Sequence, residues 1–324
     1  MLSRVHKGVM AAYRLPLLLL LVLLSACQPS AQGSPATSQQ PVLPPTPTPT
    51  SQPISATREP TPQAATLTPP PTPVSSPTPE TNLDAGCDQP GQLSLHLLPV
   101  PALDQTLEFY AYLPPCYAAS PEDFSTLILL HGQGYKNSQW LELGLVNLAD
   151  QLILSEQISP LVILLPLERY DLQDPNESNY GKLIMDSLLP WAAEFLPACI
   201  ERECLGIGGI SRGGAWALWL GVKYPERFSA IGMHSAPPFS LGYYGLLYAL
   251  RDLGEAKRPH LYLDAGEQDP YYGYISAFHE DLVTLDIQHT WTIAPGEHKN
   301  TYWQAHLQAY LLWYGSQLSL PKME

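Results

Sequence analysis

Basic residues are scarce in this 324-residue sequence, where 16 Lys and Arg stand against 30 Asp and Glu for a formal net charge of −14. The deficit deepens past residue 82. Arg4, Lys7, Arg14 and Arg58 precede that point with only Glu59 and Glu80, which leaves 12 bases against 28 acids, a net of −16, over residues 83–324. So acidic a surface repels phosphate backbones and anionic headgroups, arguing against nucleic acid as a partner and against electrostatic membrane binding. The leucine-rich run at 15–24 has ten residues, about half of the ~20 that a membrane-spanning helix requires. Metal-ligand spacing is missing as well. The 9 His include no His-x-x-x-His pair, and no Cys/His spacing matches a structural zinc site, so no metal is expected.

What is present divides the chain. Residues 1–14 hold three bases and no acid, the leucine run follows, and Ser25-Ala26-Cys27 closes the segment. That is the order of a bacterial secretory signal. Leu24-Ser25-Ala26-Cys27 resembles the lipobox of bacterial lipoproteins, in which the Cys is diacylated and becomes the mature N-terminus, so Cys27 is the expected lipidation site. A plain signal peptide or an uncleaved anchor is the alternative. Residues 28–82 carry 16 of the 35 Pro among many Ser and Thr. Too little apolar surface is available there to offset ordering entropy, and a polyproline-II-biased spacer is expected. At ~3.1 Å per residue it would reach roughly 170 Å. The expected organisation is a signal peptide with lipobox at 1–27, a Pro/Ser/Thr-rich linker at 28–82 and one globular domain at 83–324. It would be extracytoplasmic, held at the bacterial membrane or envelope by its N-terminal lipid only. Cys87, Cys116, Cys199 and Cys204 then remain, an even set suited to two disulfides. Proximity favours Cys87–Cys116 and Cys199–Cys204.

Within the domain, apolar segments at 92–100 and 106–113, bounded by Pro99, Pro101, Pro114 and Pro115, predict two opening strands. Short apolar runs then alternate with amphipathic ones. Strands are expected at 126–130, 161–165, 205–210, 228–233, 260–263 and 289–294, and helices at 140–155, 183–196, 213–224, 243–253, 274–285 and 301–317. Strands without a polar face alternating with helices imply an α/β fold, a mostly parallel sheet covered on both faces. Chemistry in such sheets gathers at the carboxyl ends of the strands.

One strand end stands out. Residues 205–210 run into Gly209-Ile210-Ser211-Arg212-Gly213-Gly214 and then a helix, the strand–turn–helix setting of a G-x-S-x-G nucleophile elbow. Ser211 must take a strained turn there, and the flanking glycines clear the space where strand and helix nearly touch. A hydroxyl nucleophile needs a base, and the elbow's chain order is Ser, acid, His. His298, in a loop just after the strand at 289–294, is the first choice, and His234, ending the strand after the elbow, is its rival. His279 and His306 fall in helices, and His260 and His289 open strands. For the acid, the loop after 260–263 offers Asp269 first, with Glu267 and Asp264 as competitors. Two backbone donors should face the developing oxyanion. One is the N–H of Arg212; the other comes from the loop His131-Gly132-Gln133-Gly134-Tyr135, from Gln133 by preference and Gly132 second. His131 is expected to pack beneath that loop. Aromatics at the expected site loops, namely Tyr135, Trp140, Tyr170, Tyr180, Trp216, Tyr243, Tyr244, Tyr271 and Tyr272, either stack on a substrate ring or simply pack. The loop 168–180 is long enough to form a lid or rim.

Together these residues resemble the Putative esterase family of α/β hydrolases, which includes esterase D, feruloyl and acetyl xylan esterases, enterochelin esterases and mycolyltransferases. The resemblance covers roughly 93–314. It rests on Leu113-Pro114-Pro115 before a Tyr, the His131-Gly132 loop, the elbow, Gly266 with Asp269, and Gly296 with His298 and Trp303. It implies the α/β-hydrolase fold, with Ser211 as nucleophile, Asp269 as acid and His298 as base of a serine carboxylic ester hydrolase. Such an enzyme works through an acyl-enzyme without a cofactor, on a small-molecule or glycan-linked ester. Family members often have Met or Gln after the nucleophile, so Arg212 is a departure that bears on substrate choice. The competing expectations are a non-catalytic solute- or glycan-binding lipoprotein on a hydrolase scaffold, and an acyltransferase.

Overall fold

A computed structural model of the chain describes residues 89–120, 123–240 and 242–320. The expectations for Cys27, the spacer and Cys87 lie outside the described residues. All that follows concerns the unit Thr78–Glu324.

Among the described residues, eight strands form one sheet: β1 (Gln92–Val100), β2 (Gln105–Leu113), β3 (Ser125–Leu130), β4 (Leu161–Pro166), β5 (Leu205–Ile210), β6 (Ala230–His234), β7 (His260–Gly266) and β8 (Thr290–Ala294). Their spatial order is β1-β2-β4-β3-β5-β6-β7-β8. β1 runs antiparallel to β2 and β2 to β4, and every other pair is parallel. This is the α/β-hydrolase fold, with the hairpin at one edge that the opening segments predict.

Side-chain alternation sorts the core into two layers, because neighbouring residues of a strand point to opposite faces. In β3, Ile128 and Leu130 enter the cluster that also holds Trp216, Leu220, Leu250 and Phe278, while Leu127 and Leu129 enter the one that holds Leu152, Leu307 and Tyr314. β3, β4 and β5 are buried at every residue, so their continuous apolar runs follow from helices on both faces.

The helices are α1 (Gln139–Glu142), α2 (Leu145–Leu154), α3 (Tyr180–Leu183), α4 (Leu189–Phe195), α5 (Arg212–Lys223), α6 (Tyr243–Asp252), α7 (Tyr272–Thr284) and α8 (Asn300–Gln317). Two depart from the sequence expectation. The helix expected at 140–155 is broken into α1 and α2 at Gly144, whose φ of 91° lies in the left-handed region and ends a right-handed helix. The helix expected at 183–196 starts three residues early and passes through a π-helical turn, Ile184–Leu188, before α4. Pro190 in the first turn of α4 has no N–H to bond the preceding turn, and the wider turn accommodates it. Further along, β7 runs on to Gly266, three residues past its expected end. A disulfide joins Cys199 to Cys204, as proximity suggests, beside the entry to β5.

Candidate active site

The turn between β5 and α5 carries the site. Ser211 sits there at φ 53°, ψ −119°, a conformation that strains any residue with a side chain by an order of 1–3 kcal/mol. Its N–H donates to the carbonyl of His234 at 2.8 Å, which pins the elbow to the end of the neighbouring strand β6. The glycines after it are demanded by contact. A Cβ on Gly213 would lie 2.5 Å from the Leu130 carbonyl oxygen, so α5 could not cross the end of β3 with any other residue there.

Three side chains converge from three loops. Ser211 Oγ is 2.9 Å from His298 Nε2, and His298 Nδ1 is 2.8 Å from Asp269 Oδ2. The second carboxylate oxygen, Asp269 Oδ1, accepts the Tyr271 N–H at 2.7 Å. The Asp269 carboxylate is fully buried while the His298 ring keeps 18% of its surface exposed, so the carboxylate is shielded and the imidazole is reachable from solvent. The His298 ring is held edge-on between Tyr271 and Trp303, with centroids 4.9 and 5.1 Å away. The first-choice residues of the sequence are therefore brought together across 87 positions of chain.

The competitors lie elsewhere. His234 and Asp264 bond each other, Nδ1 to Oδ1 at 3.0 Å, inside the core. His234 Nε2 meets the Tyr314 hydroxyl at 3.0 Å, and Tyr310 donates its hydroxyl to Asp264 Oδ2 at 2.9 Å while stacking on the imidazole at 3.7 Å. Both ring nitrogens of His234 are thus occupied, and the extra length of β7 buries Asp264 within the strand. Glu267 is exposed, its carboxylate bonded only to the amide of Gln268 among the described residues. His279 lies within α7, where it bonds His289, and His306 within α8.

The loop 131–135 faces the elbow. The Gly132 N–H donates to Gln139 Oε1 at 2.8 Å and is not free for a substrate. No hydrogen bond engages the N–H of Gln133 or of Arg212 among the described residues. That leaves these two, of the three donors the sequence suggested, to meet an oxyanion. His131 is buried beneath the loop: its Nε2 accepts the Glu168 N–H at 2.9 Å, which puts the ring proton on Nδ1 for donation to the Gly132 carbonyl at 2.9 Å. Burial holds its pKa below the ordinary imidazole value, so the ring stays neutral as this pattern requires.

The partner of the Arg212 side chain is not legible in the sequence. Its guanidinium turns into a buried pair with Glu168, Nε to Oε2 at 2.9 Å and Nη2 to Oε1 at 2.7 Å, and also donates to the Gln173 carbonyl at 2.7 Å. Trp216 Nε1 donates to the same carboxylate at 2.8 Å. Burial pushes the Glu168 carboxyl up and the Arg212 hydrogen bonds pull it down, the first effect being the larger. A buried cation after the nucleophile requires an anion within reach, and that requirement was the available signal. Of the aromatics at the expected site loops, Trp140, Tyr180 and Trp216 are core residues, whereas Tyr135, Tyr170, Tyr244 and Tyr271 remain exposed. A cavity of about 270 Å³ borders the Glu168 wall, lined by Thr106, Arg169, Tyr170, Gln173 and Asn179 among others.

A family model described as Putative esterase matches residues 101–314. Similar solved structures include a ferulic acid esterase, 18% identical with a TM-score of 0.63, covering 72% of this chain and 100% of its own. Another is the fluorophosphonate-binding serine hydrolase F of Staphylococcus aureus, 17% identical with a TM-score of 0.61, over 70% of this chain and 99% of its own. A mutant feruloyl esterase module from Clostridium thermocellum complexed with sinapinate is 17% identical with a TM-score of 0.63, over 77% of this chain and 96% of its own. At these identities the likeness is one of fold.

Proposed function

Because the chain belongs to the Putative esterase family and is a serine carboxylic ester hydrolase, we propose that Ser211, His298 and Asp269 are its catalytic triad and that it turns over through an acyl-enzyme. The observation that carries this is the single imidazole bonded at once to the Ser211 hydroxyl and the buried Asp269 carboxylate. His298 Nε2 takes the hydroxyl proton as Ser211 Oγ adds to the ester carbonyl. Asp269 keeps the other ring proton on Nδ1 and stabilises the imidazolium that forms. The carbonyl oxygen, now negative, is met by the N–H groups of Arg212 and Gln133, and the start of α5 favours charge there. The imidazolium then protonates the departing alcohol. Water, deprotonated by His298, attacks the acyl-enzyme, and the serine is regenerated by the reverse proton transfer.

The substrate in this reading is a small-molecule or glycan-linked ester. Two of the similar structures are described as ferulic acid or feruloyl esterases, one holding sinapinate, which supports including aryl acid esters among the candidates. The exposed Tyr271 beside His298, and the exposed Tyr135 beside Trp303, supply aromatic surface for such an acyl group. The lipobox at Cys27 and the Pro-rich spacer support an enzyme tethered outside the cytoplasm. The triad is tested with a fluorophosphonate probe and p-nitrophenyl acetate on wild type and Ser211→Ala. Labelling and turnover present in the first and absent from the second are expected; equal turnover in both would overturn the reading. Screening acetyl, feruloyl and acetyl-sugar esters identifies the substrate, and radiolabelled-lipid incorporation with Cys27→Ser tests the tether.

A further inference from the structure

We propose that Glu168 is a positioning residue that aims both oxyanion donors at once, an inference that rests on the triad reading above. Its two ends act on opposite walls of the site. The carboxylate grips Arg212 at two points, Nε and Nη2, and is 3% exposed. Arg212 is further fixed by the Gln173 carbonyl and by Phe239, whose ring centroid lies 5.3 Å from the guanidinium carbon. Immobilising this side chain at the first residue of α5 immobilises the peptide whose N–H faces the site.

The backbone end of Glu168 acts on the other donor. Its N–H bonds His131 Nε2, and His131 Nδ1–H bonds the Gly132 carbonyl. That carbonyl and the Gln133 N–H belong to one peptide plane and point in opposite directions from it, because the bond is trans and planar. Holding the carbonyl toward His131 therefore turns the Gln133 N–H away from His131. The Tyr135 N–H bonds the same carbonyl at 3.1 Å, and Asp171 Oδ2 accepts the Gly134 N–H at 2.5 Å, so the loop after β4 holds the loop after β3 at a second point. Glu168 is the residue through which the two donors are joined. Arg212, bonded through both Nε and Nη2, is the partner that makes the link.

A purely structural ion pair would protect stability and nothing else. The test uses Glu168→Gln, Arg212→Met and the double variant, with kcat and KM on p-nitrophenyl acetate, melting temperature, and amide hydrogen exchange of loop 131–135. Where Glu168→Gln fails to fold, with a buried cation left unpaired, the double variant replaces both charges by neutral groups and keeps the test. The expected result in the folded variants is a kcat lower by on the order of 10- to 100-fold with KM within about 2-fold, since oxyanion bonds form in the transition state. Exchange in loop 131–135 should quicken while that of the central strands does not. Wild-type kcat or wild-type loop exchange in the double variant would overturn the inference. An inactive wild type would instead overturn the hydrolase reading, and the exchange comparison would still decide the positioning role.

Discussion

Asp269→Asn isolates the role proposed for the acid with almost no change in shape. Asp269 Oδ1 accepts the Tyr271 N–H at 2.7 Å, so an Asn at this position must keep its carbonyl oxygen on that side and turn its amide toward His298. The amide then donates to His298 Nδ1, 2.8 Å away, where the carboxylate had accepted. Imidazole answers by moving its proton to Nε2, the atom 2.9 Å from Ser211 Oγ, and can no longer take the hydroxyl proton. The same change in a Ser-His-Asp triad lowers kcat by ~10⁴, equivalent to roughly 5 kcal/mol of lost transition-state stabilisation at about 1.4 kcal/mol per decade. The assay is steady-state hydrolysis of p-nitrophenyl acetate at neutral pH, with melting temperature as the folding control. KM should hold within about 2-fold because no substrate contact is removed. Glu267→Gln, the exposed competitor, should leave kcat within about 2-fold. A loss below about 10-fold in Asp269→Asn, or a comparable loss in Glu267→Gln, would refute the assignment.

Other perturbations separate scaffold from chemistry. Gly213→Ala sets a methyl 2.5 Å from the Leu130 carbonyl, against backbone that has nowhere to move, and should cost about 3 kcal/mol or more in urea unfolding. Tyr310→Phe strips a donor from the buried Asp264 carboxylate and should lower stability by ~1–3 kcal/mol in thermal unfolding, with kcat per folded molecule nearly unchanged. His131, whose pKa is depressed by burial, binds fewer protons folded than unfolded. Its contribution to stability is complete above the ordinary value of 6.5 and is lost as the pH falls below it. Melting temperatures of wild type should therefore drop below about pH 6.5 more steeply than those of His131→Asn, and parallel curves would contradict this.

The layered sheet and the elbow were legible because each has a local signature: continuous apolar runs for strands covered twice, and Gly-Ile-Ser-Arg-Gly where strand meets helix. That Asp269 and His298 would come together with Ser211 was readable from chain order and from their places after strands. What escaped was set by partners far along the chain. Nothing near residue 168 marks Glu168 as more than part of a long loop, yet its carboxylate answers a cation 44 residues on. His234 and Asp264 each looked like a candidate for catalysis because each ends an expected strand. Their pairing with one another, and with Tyr310 and Tyr314 of α8, is visible only once the last helix lies against the sheet. Gly144 gave too little local signal to divide one helix into two, because the apolar pattern continues across it.

Trapping the acyl-enzyme tests the central claim most directly. The protein is mixed with p-nitrophenyl acetate, quenched in acid within the first turnovers, and mapped by peptide mass spectrometry. One acetyl group on Ser211, lost again as hydrolysis proceeds and absent in Ser211→Ala, is the expected result. An acetyl group on a different residue, or full turnover in Ser211→Ala, would contradict the account.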